Sequence, residues 1–371
     1  MENNETETLG HIRCRSCGGD LKYAPGTTSL QCSYCGTTNE IEVAEEETAE
    51  VKEHDFEAMI REMASVSETE EQHAAKCNAC GATTTLPPNV TSVNCPFCDT
   101  ALVVAASSTA RFIKPHYVLP FAIDNKQAHA KFRDWLKGLW FAPNDLKKFG
   151  DYADRLKGMY IPYWTFDAET DTDYTGMRGD AYYVTEAYTT TENGQSVQRT
   201  RQVRHIRWSA AYGNVHDSFD DILIMAANSL PLSIIEKLEP WDLHNLVPFN
   251  DQYLSGFQSE VYSVNLENGF GNAKGKMDSF IRQSVCRDIG GDEQRISSMD
   301  TDYNEVTFKH ILLPLYISAY RYNDKVYRFL INARTGEVQG ERPYSAWKIA
   351  LAVIGGLLLI LILFLIFQGG F

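Results

Sequence analysis

Eight of the nine cysteines fall into four CxxC pairs, and these pairs form two units with identical spacing. In each unit, fourteen residues separate the first CxxC pair from the second. Thiolates are ligands that hold Zn²⁺ in a tetrahedron, and two tight turns can present four of them to one ion. The predicted ligands are Cys14, Cys17, Cys32 and Cys35 for one zinc ion, and Cys77, Cys80, Cys95 and Cys98 for the other.

Both predicted zinc ions are structural, because four cysteines leave no open coordination position for an activated water. Gly18, Gly36 and Gly81 follow three of the CxxC pairs and can adopt the positive φ that turns backbone N–H groups toward sulfur. Asp99 stands at the fourth equivalent position. Disulfides and redox dithiols are the alternatives, but the doubled spacing favours metal. Metal-binding CxxC pairs are typical of a reducing compartment, so the bulk of the chain is expected in the cytosol.

The cysteine units predict two small zinc ribbons, at residues 11–39 and 74–104. Each would contain two short strands joined by a turn, and metal binding would fold it because so small a unit has little core. Residues 40–73 lie between the ribbons and account for most of the net charge of −15, because they contain thirteen Asp and Glu residues but only two Lys or Arg residues. This segment has no strand-like alternation and no Gly or Pro, so it is interpreted as a flexible acidic linker.

One short amphipathic helix is predicted inside this linker. Asp55 is a suitable N-cap, and apolar side chains recur behind it at helical spacing. These apolar residues are Phe56, Met59, Ile60 and Met63. Together with the ribbons, the helix is a candidate surface for binding a cytosolic or membrane-associated protein partner.

Residues 111–341 are rich in aromatic side chains and predict an α+β domain dominated by antiparallel pairing. A helix is expected over 125–140, with short helices at 232–238 and 273–287. The predicted strands lie at 160–174, 181–190, 197–208, 311–322 and 325–331, with hairpin turns at Asn193-Gly194 and Asn323-Asp324. Arg199, Arg201 and Arg207 share one face of the third strand. That face could bind the chain's own acidic linker or anionic lipid, or could simply keep an edge strand soluble.

The final segment, Ile349 to Phe367, contains nineteen residues and no charged or strongly polar side chain. As a helix it would be about 28 Å long, close to the thickness of the hydrocarbon core of a bilayer. Trp347 and Lys348 stand where an interfacial aromatic residue and a cytosolic cation are expected. A buried core helix is the alternative, but such a helix normally has a polar face. Residues 347–367 are therefore predicted to cross the cytoplasmic membrane once, with the N-terminal bulk in the cytosol.

The sequence lacks the signatures of several enzyme classes. No GxxxxGK[ST] phosphate loop, HExxH zinc-protease pair or GxSxG nucleophile elbow is present. The acidic composition and the absence of a basic patch on either ribbon disfavour nucleic-acid binding. We therefore expect a membrane-anchored scaffold or adaptor without enzymatic activity. A nucleic-acid-binding accessory of replication or transcription is the alternative, and an unrecognised enzyme in the 111–341 domain stays open because fold does not fix function.

The chain resembles a bacterial family of membrane proteins with TFIIB-type zinc ribbons. The resemblance rests on the two cysteine units and on the motifs VLPF at 118–121, GMYIPYWTFDA at 158–168, YLSGF at 253–257, LPLY at 313–316 and INARTG at 331–336. Members are often labelled as relatives of the primosomal replication-restart helicase because of their ribbons. Some similar members are encoded beside a phage-shock-protein-A homologue and an SPFH-domain, virion-core-like protein. The resemblance thus implies a role in docking an envelope-stress protein at the membrane.

Overall fold

A computed structural model describes residues 12–41, 51–65, 70–77, 82–85, 92–95, 97, 100–103, 108–143, 156–192, 195–322 and 325–368. The described chain is α+β, with a nine-stranded sheet, smaller sheets near the cysteines and one apolar helix near the C-terminus. The predicted α+β class is confirmed. Both predicted hairpin turns, Asn193-Gly194 and Asn323-Asp324, lie outside the described residues.

The strands are β1 (Leu21–Tyr23), β2 (Ser29–Cys32), β3 (Thr38–Glu40), β4 (His54–Asp55), β5 (Glu70–Lys76), β6 (Thr83–Thr85), β7 (Ser92–Asn94), β8 (Ala101–Val103), β9 (Ser108–Phe112), β10 (Tyr117–Val118), β11 (Lys157–Glu192), β12 (Gln195–Met225), β13 (Val247–Pro248), β14 (Gln258–Ser259), β15 (Glu293–Tyr322), β16 (Lys325–Asn332) and β17 (Val338–Gly340). The helices are α1 (Phe56–Ser65), α2 (Asn125–Gly138), α3 (Leu232–Ile235), α4 (Leu266–Ile289) and α5 (Ala346–Gln368), with 3₁₀ turns at Glu236–Leu238, Leu243–Asn245 and Asp251–Leu254.

Three long strands form the centre of the large sheet. β11, β12 and β15 contain 36, 31 and 30 residues, and β11 pairs antiparallel with both of the others. β15 pairs with β11 only as far as Gly179. Beyond that residue β11 and β12 continue alone as a two-stranded arm, residues 180–192 and 195–207. The sequence predicted separate strands at 160–174 and 181–190, but the structure has one continuous strand.

Two helices cover the sheet with their apolar faces. On α4, the side chains of Ala273, Met277, Ile281 and Val285 are all 0 % exposed. They recur every four residues, which is a spacing that keeps side chains on a single helical face. α2 begins at a capping box in which Asp124 caps its N-terminus. Its buried face includes Ala128, Phe132 and Leu136. An amphipathic helix therefore forms where the sequence predicts a helix, over 125–140.

Part of the predicted linker belongs to the fold. β4 pairs antiparallel with β15, and the N–H of Ala58 donates to the Asp55 carboxylate at 2.6 Å, which confirms Asp55 as the cap of α1. β5 begins at Glu70 and pairs with β6 and β9. The predicted amphipathic helix is present as α1. A flexible linker is wrong for 54–55 and 70–73, because these residues pair with strands that come later in the sequence.

Candidate metal centre

The four cysteines of the first unit converge on one point. The Sγ atoms of Cys14 and Cys35 are 3.6 Å apart, and those of Cys17 and Cys32 are 3.5 Å apart. All four sulfurs lie within 4.8 Å of one another. A disulfide requires about 2.05 Å between sulfurs, whereas a tetrahedron with metal–sulfur bonds of about 2.3 Å places them roughly 3.8 Å apart. This set can hold one metal ion, and its donors suit zinc.

Hydrogen bonds at these tight turns favour the thiolate form of individual cysteines. Contact with the side chain and N–H of Thr37 lowers the pKa of Cys35 to about 6. A hydrogen bond from the Gly19 N–H also lowers the pKa of Cys17, but the neighbouring sulfurs of Cys35 and Cys32 raise it to about 12. Four thiolates this close repel one another, so a divalent cation would have to compensate their charge.

Glycine completes each of these turns. Gly18 and Gly36 have φ of +72° and +74°, values that residues with a Cβ rarely adopt. Their N–H groups donate to the carbonyls of Cys14 and Cys32 at 2.9 and 3.0 Å. The positive φ predicted for these two glycines is confirmed, but their own N–H groups donate to carbonyl oxygens and not to sulfur. Gly81 and Asp99 lie outside the described residues.

The first unit is docked on the large sheet through Tyr23. The N–H of Tyr23 donates to the carbonyl of Ser255 at 2.9 Å, and the Ser255 hydroxyl donates to the carbonyl of Leu21 at 2.7 Å. The rings of Tyr23 and Tyr253 are 5.3 Å apart at an edge-to-face angle of 63°. The N–H of Gly26 donates to the carbonyl of Phe121 at 2.8 Å. Metal binding in this unit would therefore also support part of the main core.

The second unit shares the local turn geometry of the first. The N–H groups of Cys77 and Cys95 donate to carbonyls five residues ahead, on Ala82 and Thr100, at 2.7 and 2.8 Å. Cys14 and Cys32 make the same five-residue bonds at 2.7 and 3.0 Å. Cys77 and Cys95 are buried against the sheet core. The other two predicted ligands, Cys80 and Cys98, lie outside the described residues, so the second metal site is less clearly defined.

The predicted partner-binding helix is α1, and most of its apolar face contacts the chain itself. Phe56, Met59 and Ile60 pack on the core beneath α4, and the ring of Phe56 is 4.7 Å from that of Phe270. Met63 is 46 % exposed. Of the four predicted residues, Met63 alone is therefore exposed enough to contact another protein without movement of α1.

The predicted anionic-surface residues all lie on the arm. The cross-strand register places Arg199, Arg201 and Arg207 on one face. Arg201 forms an ion pair with Glu186 at 3.3 Å, and the guanidinium of Arg207 lies 5.3 Å from the ring centre of Tyr182. Binding of this face to anionic lipid stays a prediction.

A buried ion-pair cluster was not predicted from the sequence. The ammonium of Lys309, whose side chain is 4 % exposed, lies 2.8 Å from Asp221, 3.0 Å from Glu53 and 3.6 Å from Asp167. Burial, with the neighbouring Glu53, raises the pKa of Asp167 to about 7. Carboxylates of Glu53, Asp167 and Asp220 are close enough for a metal ion. Lys309 already provides a cation beside them, so the cluster is interpreted as an anchor for the 51–55 segment.

Helix α5 agrees with the predicted apolar segment. Within Ala346–Phe367, the most apolar 18-residue window has a mean hydropathy of 3.3, and none of that window is buried by the chain. Lys348 donates to the carbonyl of Ala142 at 2.7 Å, which attaches the start of the helix to the main domain. By length and composition, the helix can cross a membrane.

Comparisons with known proteins give one extended similarity. The Uncharacterized protein YdjG of Bacillus subtilis (strain 168) is 27% identical over 365 residues. The aligned region covers 96% of this chain and 98% of that relative. No family model and no solved structure matches the chain.

Proposed function

We propose that this protein is a membrane-anchored, zinc-stabilised adaptor that brings a cytosolic protein to the cytoplasmic membrane. The observation that carries the proposal is the uncovered apolar helix α5, joined directly to a folded domain. A core helix of a soluble protein would bury much of its surface, whereas α5 buries none of its apolar window. Metal-binding cysteine pairs are typical of a reducing compartment, so the folded domain would face the cytosol.

The two zinc ions would be structural parts of this adaptor. Both cysteine units contact the main sheet, the first through Tyr23 and the second through Cys77, Cys95 and Phe97. Metal binding would therefore shape two surfaces of the domain. The family resemblance supports a partner of the phage-shock-protein-A type, and the adaptor would then serve an envelope stress response.

Charge in the middle of α5 should abolish membrane retention. Replacing both Leu357 and Leu358 with arginine places two cations in the centre of the helix, and each costs about 2.5–3.5 kcal/mol there. We expect wild-type protein to remain in the membrane fraction after alkaline carbonate extraction, and the double variant to be released. Leu358→Ile is the matched control and should behave as wild type. Release of the wild-type protein itself would exclude the anchor.

Partner recruitment should depend on the second cysteine unit. We expect Cys77→Ser/Cys80→Ser to lose at least one protein that co-purifies with the wild type from detergent-solubilised membranes, because its ribbon surface no longer folds. Cys286→Ser, a change at the cysteine outside the CxxC pairs, is the control and should retain every partner. The measurement is quantitative mass spectrometry of affinity-purified complexes. An unchanged partner set for the double variant would contradict the adaptor proposal.

A further inference from the structure

The outer edge of β12 is an open strand edge. β12 pairs with β11 on one side, and no described strand pairs with its other side. With 31 residues at about 3.3 Å each, this edge extends over roughly 100 Å. Alternate residues of such a strand direct their N–H and C=O groups outward, and another strand can pair with them.

The charges of β12 are divided between its two halves. Residues 195–207 contain four arginines and no acidic residue, whereas residues 208–225 contain three aspartates and no Lys or Arg. Between the charged parts lies an uncharged run in which every side chain except that of Tyr212 is small: Ser209-Ala210-Ala211-Tyr212-Gly213. Charges that only protect an edge would also be expected in its middle. Here the middle of the edge is open to close approach by another backbone.

We propose that β12 pairs antiparallel with β12 of a second copy of this chain, around a two-fold axis near Tyr212. Antiparallel pairing places the basic half of each strand beside the acidic half of the other, whereas parallel pairing would place like charges together. A single register brings Arg204 opposite Asp220 and Arg207 opposite Asp217. A two-fold contact of this kind uses the same surface on both copies and therefore closes as a dimer.

The exposed residues near the axis fit this arrangement. Tyr212 is 82 % exposed, and the register places it opposite its own copy, where cross-strand aromatic pairs are favourable. Within one chain, Arg204 forms an ion pair with Glu293 at 2.7 Å. The side chain of Arg204 is 44% exposed, and that of Glu293 is 40% exposed. An exposed pair is weak enough to exchange partners.

The carboxylate of Asp217 has a hydrogen bond within its own chain. Its Oδ1 accepts from the Ser284 hydroxyl, and the proposed pairing requires this carboxylate to turn toward Arg207 of the second copy. The pairing should end near residue 222, because Lys276 already donates to the carbonyl of Leu223 at 2.8 Å.

A charge exchange tests the proposal directly in the full-length protein. Variant one is Arg204→Asp/Arg207→Asp, and variant two is Asp217→Arg/Asp220→Arg. In detergent, light scattering with size-exclusion chromatography should give wild type a protein mass twice the 41.9 kDa of one chain. Each variant alone should dimerise at least about tenfold more weakly, because like charges then face each other. An equimolar mixture should recover the dimer, since all four pairs are again opposite in sign.

A second measurement does not depend on the folding of these variants. A photoreactive benzoylphenylalanine at position 212 of otherwise wild-type protein should cross-link to a second copy, with the cross-linked peptide close to residue 212. The matched control carries the same probe at Tyr344, an exposed tyrosine outside β12. This control should not cross-link to a second copy. A wild-type monomer at all concentrations, a dimer unaffected by both charge variants, or cross-linking of residue 212 only to another protein would each overturn the proposal.

Discussion

Exchange of Cys32 for serine is expected to remove one equivalent of bound metal and to unfold residues 12–41. Serine provides no thiolate, so the remaining three sulfurs would bind zinc far more weakly. Structural zinc contributes on the order of 10 kcal/mol to the folding of small ribbons. The apolar core of this unit is too small to replace that contribution. Besides Cys14 and Cys32, its buried apolar side chains are Leu21, Tyr23, Leu30 and Ile41.

Elemental analysis of the purified full-length protein measures the metal, and amide exchange of residues 21–32 measures the folding. Cys286→Ser is the control, because Cys286 lies in α4 outside the cluster. It should change neither quantity. The loss should extend to weaker protection around Tyr253, whose ring packs on that of Tyr23. Full metal content and full protection in Cys32→Ser would contradict the assignment of this cluster.

The convergence of the four cysteines of the first unit was predictable because its information is local. Two CxxC turns need only a few residues each, and the positive φ of Gly18 and Gly36 follows from the same short pattern. The docking of this unit was not predictable, since Tyr23 contacts residues more than two hundred positions away. Nothing in the spacing of cysteines indicates which distant surface will cover a small ribbon.

The length of β11 was missed for a related reason. Gly176 and Gly179 lie between the two predicted strands, at 160–174 and 181–190. In the structure, a Cβ at Gly176 would lie 2.5 Å from the carbonyl oxygen of Arg295, and one at Gly179 would lie 2.7 Å from Ile206. These glycines permit close approach within a sheet, and the register shift at Thr175/Gly176 marks the same place. Sequence alone does not distinguish this use from a turn.

The apolar stripe of α1 gives a third case. Helical spacing correctly predicts that one face of this helix is buried, but it does not identify the surface that covers it. Phe270 and the core beneath α4 cover that face. The sequence suggested a foreign partner because residues 40–73 were interpreted as a linker without tertiary contacts.

Removal of the Lys309 ammonium is expected to cause the largest loss of stability outside the two cysteine units. Lys309→Ala leaves the carboxylates of Asp221, Glu53 and Asp167 close together with no cation between them. Breaking a buried ion pair by deleting one partner typically costs about 3–5 kcal/mol. The free energy of unfolding in urea at pH 8 should fall by that amount. Residues 51–65 should also exchange their amide hydrogens faster, because Glu53 is one of the carboxylates that Lys309 holds.

Lys137→Ala is the matched control for this prediction. Lys137 forms an ion pair with Asp134 at a comparable 2.9 Å, but the two side chains are 76% and 72% exposed. Exposed pairs contribute at most about 1 kcal/mol, so this variant should be nearly as stable as wild type. A loss of similar size in both variants would show that burial of Lys309 is not what makes its ion pairs important.

The pH dependence separates a charge effect from a packing effect. The pKa of Asp167 is already raised to about 7 in the folded protein, and loss of the neighbouring ammonium should raise it further. The folded variant would then bind more protons than its unfolded chain between about pH 4 and pH 8, so its stability should increase as the pH falls. The deficit of Lys309→Ala relative to wild type should therefore be smaller at pH 5 than at pH 8. A cavity left by the missing methylene groups would instead cost nearly the same free energy at both pH values, because it binds no protons.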